Sequence, residues 1–278
     1  MIEKNTRAIT ILRLHGSLRT SYSLRMAHRA ERRRILLIAI WALLVGSAIL
    51  VAIYGYFEYL RPSGRWALYA ELRQDPETFA RYGLLPGQRC GDAPFAFPTG
   101  GIILGLWGQS YRFFHHHTGI DVFSGSEPGV TPVYAAYPGY LSRAADWRAT
   151  VIIRIPSDPL NPGRQVWTYY THLANQDGES FISAEFPPGT SEKFVEAGTF
   201  LGYMGDFSGD PGNPTGVHLH FSLTKDESGK FSNELDIRNT FDPSPYFNLP
   251  LNHHENPDEI PLCKSELTIE PWNLVDEQ

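Results

Sequence analysis

Hydrophobic and polar positions divide the chain into three stretches with different patterns. Residues 35–57 carry no charged side chain, whereas residues 65–82 mix aromatic and aliphatic side chains with charges. From residue 102 to residue 223, short runs rich in β-branched and aromatic residues alternate with glycine and proline. These patterns predict one membrane-length helix, then short helices, then a β-rich domain.

The third stretch predicts an antiparallel β-sheet domain, a sandwich or an open barrel-like sheet, because no long amphipathic helix interrupts the runs. A stretch rich in glycine and proline over residues 83–98 marks the entry to this domain, which we expect over residues 95–248. The predicted strands are Ile102–Leu106, Thr118–Phe123, Val130–Tyr137, Tyr140–Arg143, Val151–Ile155, Val166–Thr171, Phe200–Met204 and His218–Leu223.

The uncharged run at residues 35–57 is about 23 residues long, enough for a helix to span a bilayer core of about 30 Å. Three arginines, residues 32–34, stand immediately before it. The positive-inside rule therefore places residues 1–34 in the cytoplasm and the chain after residue 58 outside. A cleavable signal peptide is the alternative, but the run is longer than the usual apolar region of a signal peptide and no clear cleavage site follows.

Charge is distributed unevenly around a net value of −6 over 278 residues. Residues 1–34 hold nine lysines and arginines against two glutamates, so the remainder is acidic, including a tail at residues 249–278. The adjacent membrane span explains this basic arm better than nucleic acid does, and we expect no nucleic-acid partner. Residues 58–94 form a connector, in which Asp75 followed by proline predicts two short helices meeting near that residue.

The candidate chemistry lies between His117 and His220. His117 and Asp121 are four residues apart in a segment with glycine and β-branched residues, which favours an extended chain and the same side for both. His218 and His220 are two residues apart, and that spacing sends both side chains to one face of a strand. Two imidazoles and a carboxylate suffice for a catalytic zinc, which keeps a fourth position for water. The remaining histidine is then available to the reaction.

The order of the motifs adds specificity. Along the chain follow Gly119-Ile120-Asp121, Pro132-Val133-Tyr134-Ala135-Ala136 with Gly139, Tyr170-x-His172, Gly198-x-x-Leu201-Gly202-x-x-Gly205, and Thr215-Gly216-Val217-His218-Leu219-His220-Phe221. This series resembles the lysostaphin-type (LytM-like) zinc metallopeptidases, bacterial enzymes that cut peptide bonds in peptidoglycan. The resemblance covers roughly residues 95–248 and implies a compact sheet whose groove holds the metal.

Residue by residue, the resemblance implies that His117, Asp121 and His220 bind one zinc ion. It gives His172 and His218 to catalysis, one as general base toward water and the other as a stabiliser of the oxyanion, with the division open. The implied protein is a single-pass peptidoglycan endopeptidase with its catalytic domain outside the bacterial cytoplasmic membrane. The alternative is a silent wall-binding scaffold or a regulator of another hydrolase, but all five positions are filled, which favours the enzyme.

Some features depart from the family's pattern. Ser222 stands where the family often has a carboxylate, so the contact behind a histidine ligand is expected to differ. The segments 156–163, 173–191 and 206–214 are long loops that either shape the substrate groove or have no functional weight.

Several histidines and both cysteines lie outside these motifs. We expect His116 to point away from the metal, whereas His115 either lines the groove or is simply exposed. The only cysteines, Cys90 and Cys263, either form a disulfide or remain free thiols, and a disulfide would pin the acidic tail.

Overall fold

The structure is a computed structural model that describes residues 3–56, 65, 76–110, 115–272 and 274. The chain divides into two compact units, Met1–Arg61 and Pro62–Gln278. The first unit is a helix, α1 (Glu3–Gly55). Its segment Glu31–Gly55 contains an 18-residue window with a mean hydropathy of 2.8, none of it buried, so its length and composition suit a membrane span, as they would suit a signal sequence. The helix predicted at residues 35–57 is therefore present, ending near its predicted end.

The second unit is mainly antiparallel β-structure, which confirms the predicted fold class. Its described helices are α2 (Pro76–Tyr82) and α3 (Ser244–Phe247), with a short 3-10 helix at Ile237–Asn239. The strands are β1 (Gln88–Cys90), β2 (Ile102–Gly105), β3 (Ile120–Phe123), β4 (Pro132–Tyr134), β5 (Gly139–Ser142), β6 (Val151–Ile155), β7 (Val166–Thr171), β8 (Lys193–Val195), β9 (Phe200–Tyr203), β10 (Leu219–Glu227), β11 (Lys230–Phe231), β12 (Thr240–Phe241) and β13 (Leu267–Ile269).

Helix α2 begins at its proline, where a proline fits because a first-turn residue needs no intrahelical N–H bond. It is the second of the two short helices predicted for the connector. Most of the first, residues 66–75, lies outside the described residues.

The strands form one large sheet and two small ones. The large sheet has nine strands in the order β2-β3-β10-β7-β6-β5-β8, with β11 and β12 also paired to β10. The small sheets pair β4 with β9 and β1 with β13. Strand β10 lies between β3 and β7, and its register sets His220 opposite Asp121 on one side and Thr171 on the other. Three segments distant in sequence thus meet at the centre of the sheet.

Strands β3 and β10 pack closely near this point. Gly119 comes just before β3, and a Cβ atom there would overlap the carbonyl oxygen of Phe221. Beneath the strands, Ile120, Val122 and Phe221 are fully buried in the hydrophobic core. Glycine is required at this position because the backbone of the neighbouring strand occupies the space of a side chain.

The end of the chain is fixed to the start of the domain. Cys90 and Cys263 form a disulfide, which settles the alternative left open by the sequence. Strand β13 pairs with β1, and Leu251 is fully buried in the core. The acidic tail is therefore pinned by Cys263, as expected if the two cysteines paired.

A buried arginine ties the connector to the domain. The Arg65 side chain is fully buried, and its guanidinium donates hydrogen bonds to the carbonyl oxygens of Leu104 and Asn256 and to Oε1 of Gln109. A buried guanidinium is stable only when its donors are satisfied, as these are. Arg65 is therefore anchored in the domain by groups from residues 104–109 and 256.

Candidate metal centre and groove

The three predicted metal ligands converge on one point. Nε2 of His117 lies 3.0 Å from Oδ1 of Asp121 and 3.0 Å from Nδ1 of His220, and the last two atoms are 2.9 Å apart. All three side chains are buried. A tetrahedral zinc with ligand distances of about 2.0–2.2 Å separates its ligand atoms by roughly 3.3–3.5 Å. The three atoms therefore form a triangle close to the size that one zinc ion requires.

The other nitrogen of each histidine ligand is also engaged. Nδ1 of His117 donates to the carbonyl oxygen of Leu106 at 2.9 Å, and Nε2 of His220 donates to Oε1 of Glu234 at 2.9 Å. Such partners fix the tautomer and the orientation of a metal-binding imidazole. In the neutral form of each ring, the nitrogen that faces Asp121 is consequently the one without a proton.

The two predicted catalytic histidines lie beside this triangle. The rings of His172 and His218 have centroids 4.3 Å apart, and Nε2 of His218 lies 3.6 Å from Oδ1 of Asp121. His218 also stacks on Phe123, with ring centroids 4.8 Å apart. All five predicted site residues are therefore in one place, while their roles stay predictions.

Backbone carbonyls hold both of these rings by the same nitrogen. Nδ1 of His172 donates to the carbonyl oxygen of Phe207 at 2.6 Å, and Nδ1 of His218 donates to that of Gly216 at 2.6 Å. A neutral imidazole with its proton on Nδ1 carries an unprotonated Nε2. His172 also has a φ of +70°, a left-handed conformation that costs a non-glycine residue about 1–3 kcal/mol and occurs often at functional sites.

Burial disfavours the protonated forms of His172 and His218. Burial, with the neighbouring His218, lowers the pKa of His172 to about 3, and burial also lowers the pKa of His218. Both imidazoles are therefore neutral near pH 7, the state in which an imidazole accepts a proton.

Among the predicted ligands, interactions between the side chains outweigh burial in setting the pKa values. Burial disfavours protonated His220, but hydrogen bonds to Asp121 and Glu234 outweigh it and raise its pKa to about 10. Burial likewise disfavours ionised Asp121, but its interactions with His117, His218 and His220 outweigh burial and hold its pKa well below the usual range. The cluster thus stabilises positive charge at the point where the ligand atoms meet.

An open groove of about 790 Å³ runs over these residues. All five predicted site residues line it, and so does His115, whereas His116 is not among the lining residues. Of the long loops predicted from the sequence, 206–214 contributes Phe207, Ser208, Gly209 and Pro211. Segments 156–163 and 173–191 contribute none of the lining residues.

The sequence did not point to Glu234. This residue follows β11 in an irregular segment, is buried, and accepts hydrogen bonds from His220, Ser222 and Thr118. Glu234 belongs to no motif. The one sequence signal was indirect, because Ser222 stands where the lysostaphin-type family often has a carboxylate. Its neighbour Leu235 is 82% exposed and lines the groove.

Comparisons with known proteins find likenesses only among solved structures. No family model and no curated protein matches the chain. Among solved structures, the antimicrobial peptidase lysostaphin from Staphylococcus simulans matches at 22% identity over 53% of this chain and 49% of its own, with a TM-score of 0.35. The catalytic domain of the prophage-encoded M23 protein EnpA from Enterococcus faecalis, in a mutant form, matches at 24% identity over 52% and 93%, with a TM-score of 0.32.

A lytM protein from Ruminococcus gnavus matches at 25% identity over 46% of this chain and 45% of its own, with a TM-score of 0.31. The chain thus spans about half the length of lysostaphin and of the lytM protein.

Proposed function

We propose that this chain is a membrane-anchored zinc metalloendopeptidase that hydrolyses peptide bonds in peptidoglycan. One observation carries the proposal: three ligand atoms lie within 3.0 Å of one another on the floor of a groove that also presents two further imidazoles. A merely structural zinc site is closed by four protein ligands, whereas a catalytic one has three and an open side.

The donor set fits one zinc ion held by His117, Asp121 and His220. Two imidazole nitrogens and a carboxylate oxygen are ligands that zinc accepts, and hydrogen bonds on the far side of both rings direct the unprotonated nitrogens inward. When bound, zinc supplies Lewis acidity, lowering the pKa of water to about 7 and polarising a peptide carbonyl.

His172 and His218 supply the proton transfers. Because both rings donate from Nδ1 to a backbone carbonyl, each turns an unprotonated Nε2 to the reaction. One of them accepts the proton of the attacking water. Its Nε2–H can then stabilise the oxyanion or return the proton to the leaving amine.

The apolar helix of the first unit supports membrane attachment. Residues 35–55, the uncharged part of the segment Glu31–Gly55, serve as the span, with residues 1–34 in the cytoplasm and the catalytic unit outside. The disulfide between Cys90 and Cys263 supports this orientation, because disulfides persist outside the reducing cytoplasm.

The test is digestion of purified, insoluble peptidoglycan by the full chain in detergent, followed by mass spectrometry of the released fragments. We expect new peptide amino termini, their loss on chelation and their return with added zinc. His218→Ala is the control for a contaminating hydrolase. A chain that binds the wall but releases no fragment with zinc present would overturn the proposal in favour of a silent scaffold.

A further inference from the structure

We infer that Glu234 is the positioning residue that fixes His220 for metal binding, and that it supplies from a loop the carboxylate that Ser222 lacks. This inference rests on the proposed zinc site and deepens it. It concerns how the ligand is held, so it can be tested by metal binding without any measurement of hydrolysis.

The contacts of Glu234 converge on one oxygen. Oε1 accepts from Nε2 of His220 at 2.9 Å, from the hydroxyl of Ser222 at 2.9 Å and from the hydroxyl of Thr118. The donors come from β10 and from the segment just before β3, the two strands that carry His220 and Asp121. Glu234 therefore bridges the strands behind the metal ligands.

This contact decides which nitrogen of His220 faces the metal. A histidine can bind a metal through either nitrogen, and the hydrogen bond made by the other one selects between them. With Nε2 donating to Glu234, Nδ1 is left facing Asp121 and His117 at 2.9 Å and 3.0 Å. A carboxylate also increases the basicity of the ligating nitrogen.

Ser222 alone does not replace this contact. Its Oγ also lies 2.9 Å from Nε2 of His220, but the hydroxyl donates its own proton to Glu234. A neutral hydroxyl is a weaker acceptor than a carboxylate, because hydrogen bonds to charged groups are about twice as strong. Removing the hydroxyl leaves the bond between His220 and Glu234 in place.

The local chain is folded to bury this charge. Glu234 is 5% exposed, whereas the adjacent Leu235 is 82% exposed, the reverse of what their chemistry favours. The turn is held by Oδ1 of Asn233, which accepts from the N–H of Leu235 at 3.1 Å, and by the carbonyl oxygen of Asn233, which accepts from Asn239 at 2.9 Å. A buried glutamate beside an exposed leucine indicates that this segment is folded to place the carboxylate rather than to bury the leucine.

The experiment measures zinc affinity, by competition with a chromophoric chelator, for the full chain in detergent. We expect Glu234→Ala to weaken zinc binding about 10–100-fold and Ser222→Ala to change it less than about threefold. Glu234→Gln keeps the volume of the side chain and guards against collapse of the site, and we expect about tenfold weaker binding because the charge is lost.

A relocated carboxylate gives the sharpest control. Ser222 Oγ lies 2.9 Å from Oε1 of Glu234, and two covalent bonds span about 2.5 Å, so a glutamate at this position can reach the vacated place. We expect Ser222→Glu combined with Glu234→Ala to recover most of the zinc affinity. A residue that only filled space would not be replaced in this way.

The outcomes separate this inference from the proposed function. If Glu234→Ala and Glu234→Gln lower the melting temperature of the metal-free chain but bind zinc as tightly as the intact chain, the inference is overturned. It is also overturned if the intact chain binds no zinc. If zinc affinity depends on Glu234 but no variant or intact chain cleaves peptidoglycan, the inference stands and the peptidase proposal fails.

Discussion

The floor and the rim of the groove are built differently. The floor consists of β3, β7 and β10, whose register sets His220 opposite Asp121, and most of its residues are buried. The rim consists of irregular segments such as 207–215, held by side-chain bonds like that from Ser208 Oγ to the carbonyl of Asp210. A sheet fixes ligand positions to a fraction of an ångström, whereas loops vary. The difference assigns metal binding and chemistry to the floor and substrate recognition to the rim.

His172 links the two regions. It follows β7 on the floor, and its Nδ1 donates to the carbonyl oxygen of Phe207 on the rim. Its proton-accepting nitrogen is therefore oriented by a backbone carbonyl of the rim, whereas His220 is oriented by the carboxylate of Glu234. The following predictions test this division, from the largest expected effect to the smallest.

The largest effect is expected for Asp121→Ala on the floor. Removing one of three ligands should abolish stable zinc binding and lower hydrolysis at least about 100-fold. Metal analysis of the purified chain and fragment release from peptidoglycan measure the two effects. His116→Ala is the matched control, because this exposed residue is adjacent to a ligand but does not line the groove. Zinc retained at the intact level by Asp121→Ala would contradict the assignment.

The histidines beside the ligands should separate chemistry from metal binding. We expect His172→Ala and His218→Ala to keep zinc and to lower kcat about 10²–10⁴-fold, the usual contribution of a general base. His254→Ala, at an exposed position, should leave zinc content and kcat unchanged. Loss of zinc in parallel with loss of activity would make these residues ligands or structural supports instead.

The close packing of the floor should show in stability. Gly119→Ala would place a methyl group against the carbonyl of Phe221, so we expect the free energy of unfolding to fall by about 1–3 kcal/mol. Gly100→Ala is the control, since its Cβ would meet only Pro86 at 3.8 Å. Thermal unfolding compares the two, and equal melting temperatures would show that the strands can separate at no cost.

The smallest effect is expected at the rim. Leu235→Ser removes an exposed apolar side chain from the groove, and we expect KM to rise a few-fold, the size of one lost hydrophobic contact, with kcat and zinc content unchanged. Leu160→Ser is the control, because Leu160 is also exposed but does not line the groove. A fall in kcat without a change in KM would place Leu235 in the chemistry and weaken the division.

The sequence predicted the floor far better than the rim. Strands β6 and β7 have their predicted bounds because β-branched and aromatic residues fill all but one of their positions. Strands β1, β8, β11, β12 and β13 were missed because they have only two or three residues, too few for a period to show. The five site residues, whose roles stay predictions, could be singled out because each stands in a motif on or beside a strand.

Glu234 and the disulfide required the structure. The carboxylate is 14 residues from His220 in sequence and reaches it through an irregular turn, for which no pattern exists. Likewise, Cys90 and Cys263 are separated by 173 positions, and sequence alone gives no distance between them. Contacts made by loops and chain ends depend on packing, which periodicity does not encode.

The most direct test of the central claim is zinc K-edge X-ray absorption on the full chain in detergent after loading with one equivalent of zinc. We predict only nitrogen and oxygen ligands at about 2.0–2.2 Å, with the outer-shell scattering of two imidazoles. A sulfur ligand at about 2.3 Å, or a fully hydrated ion without imidazole scattering, would contradict a centre made by His117, Asp121 and His220.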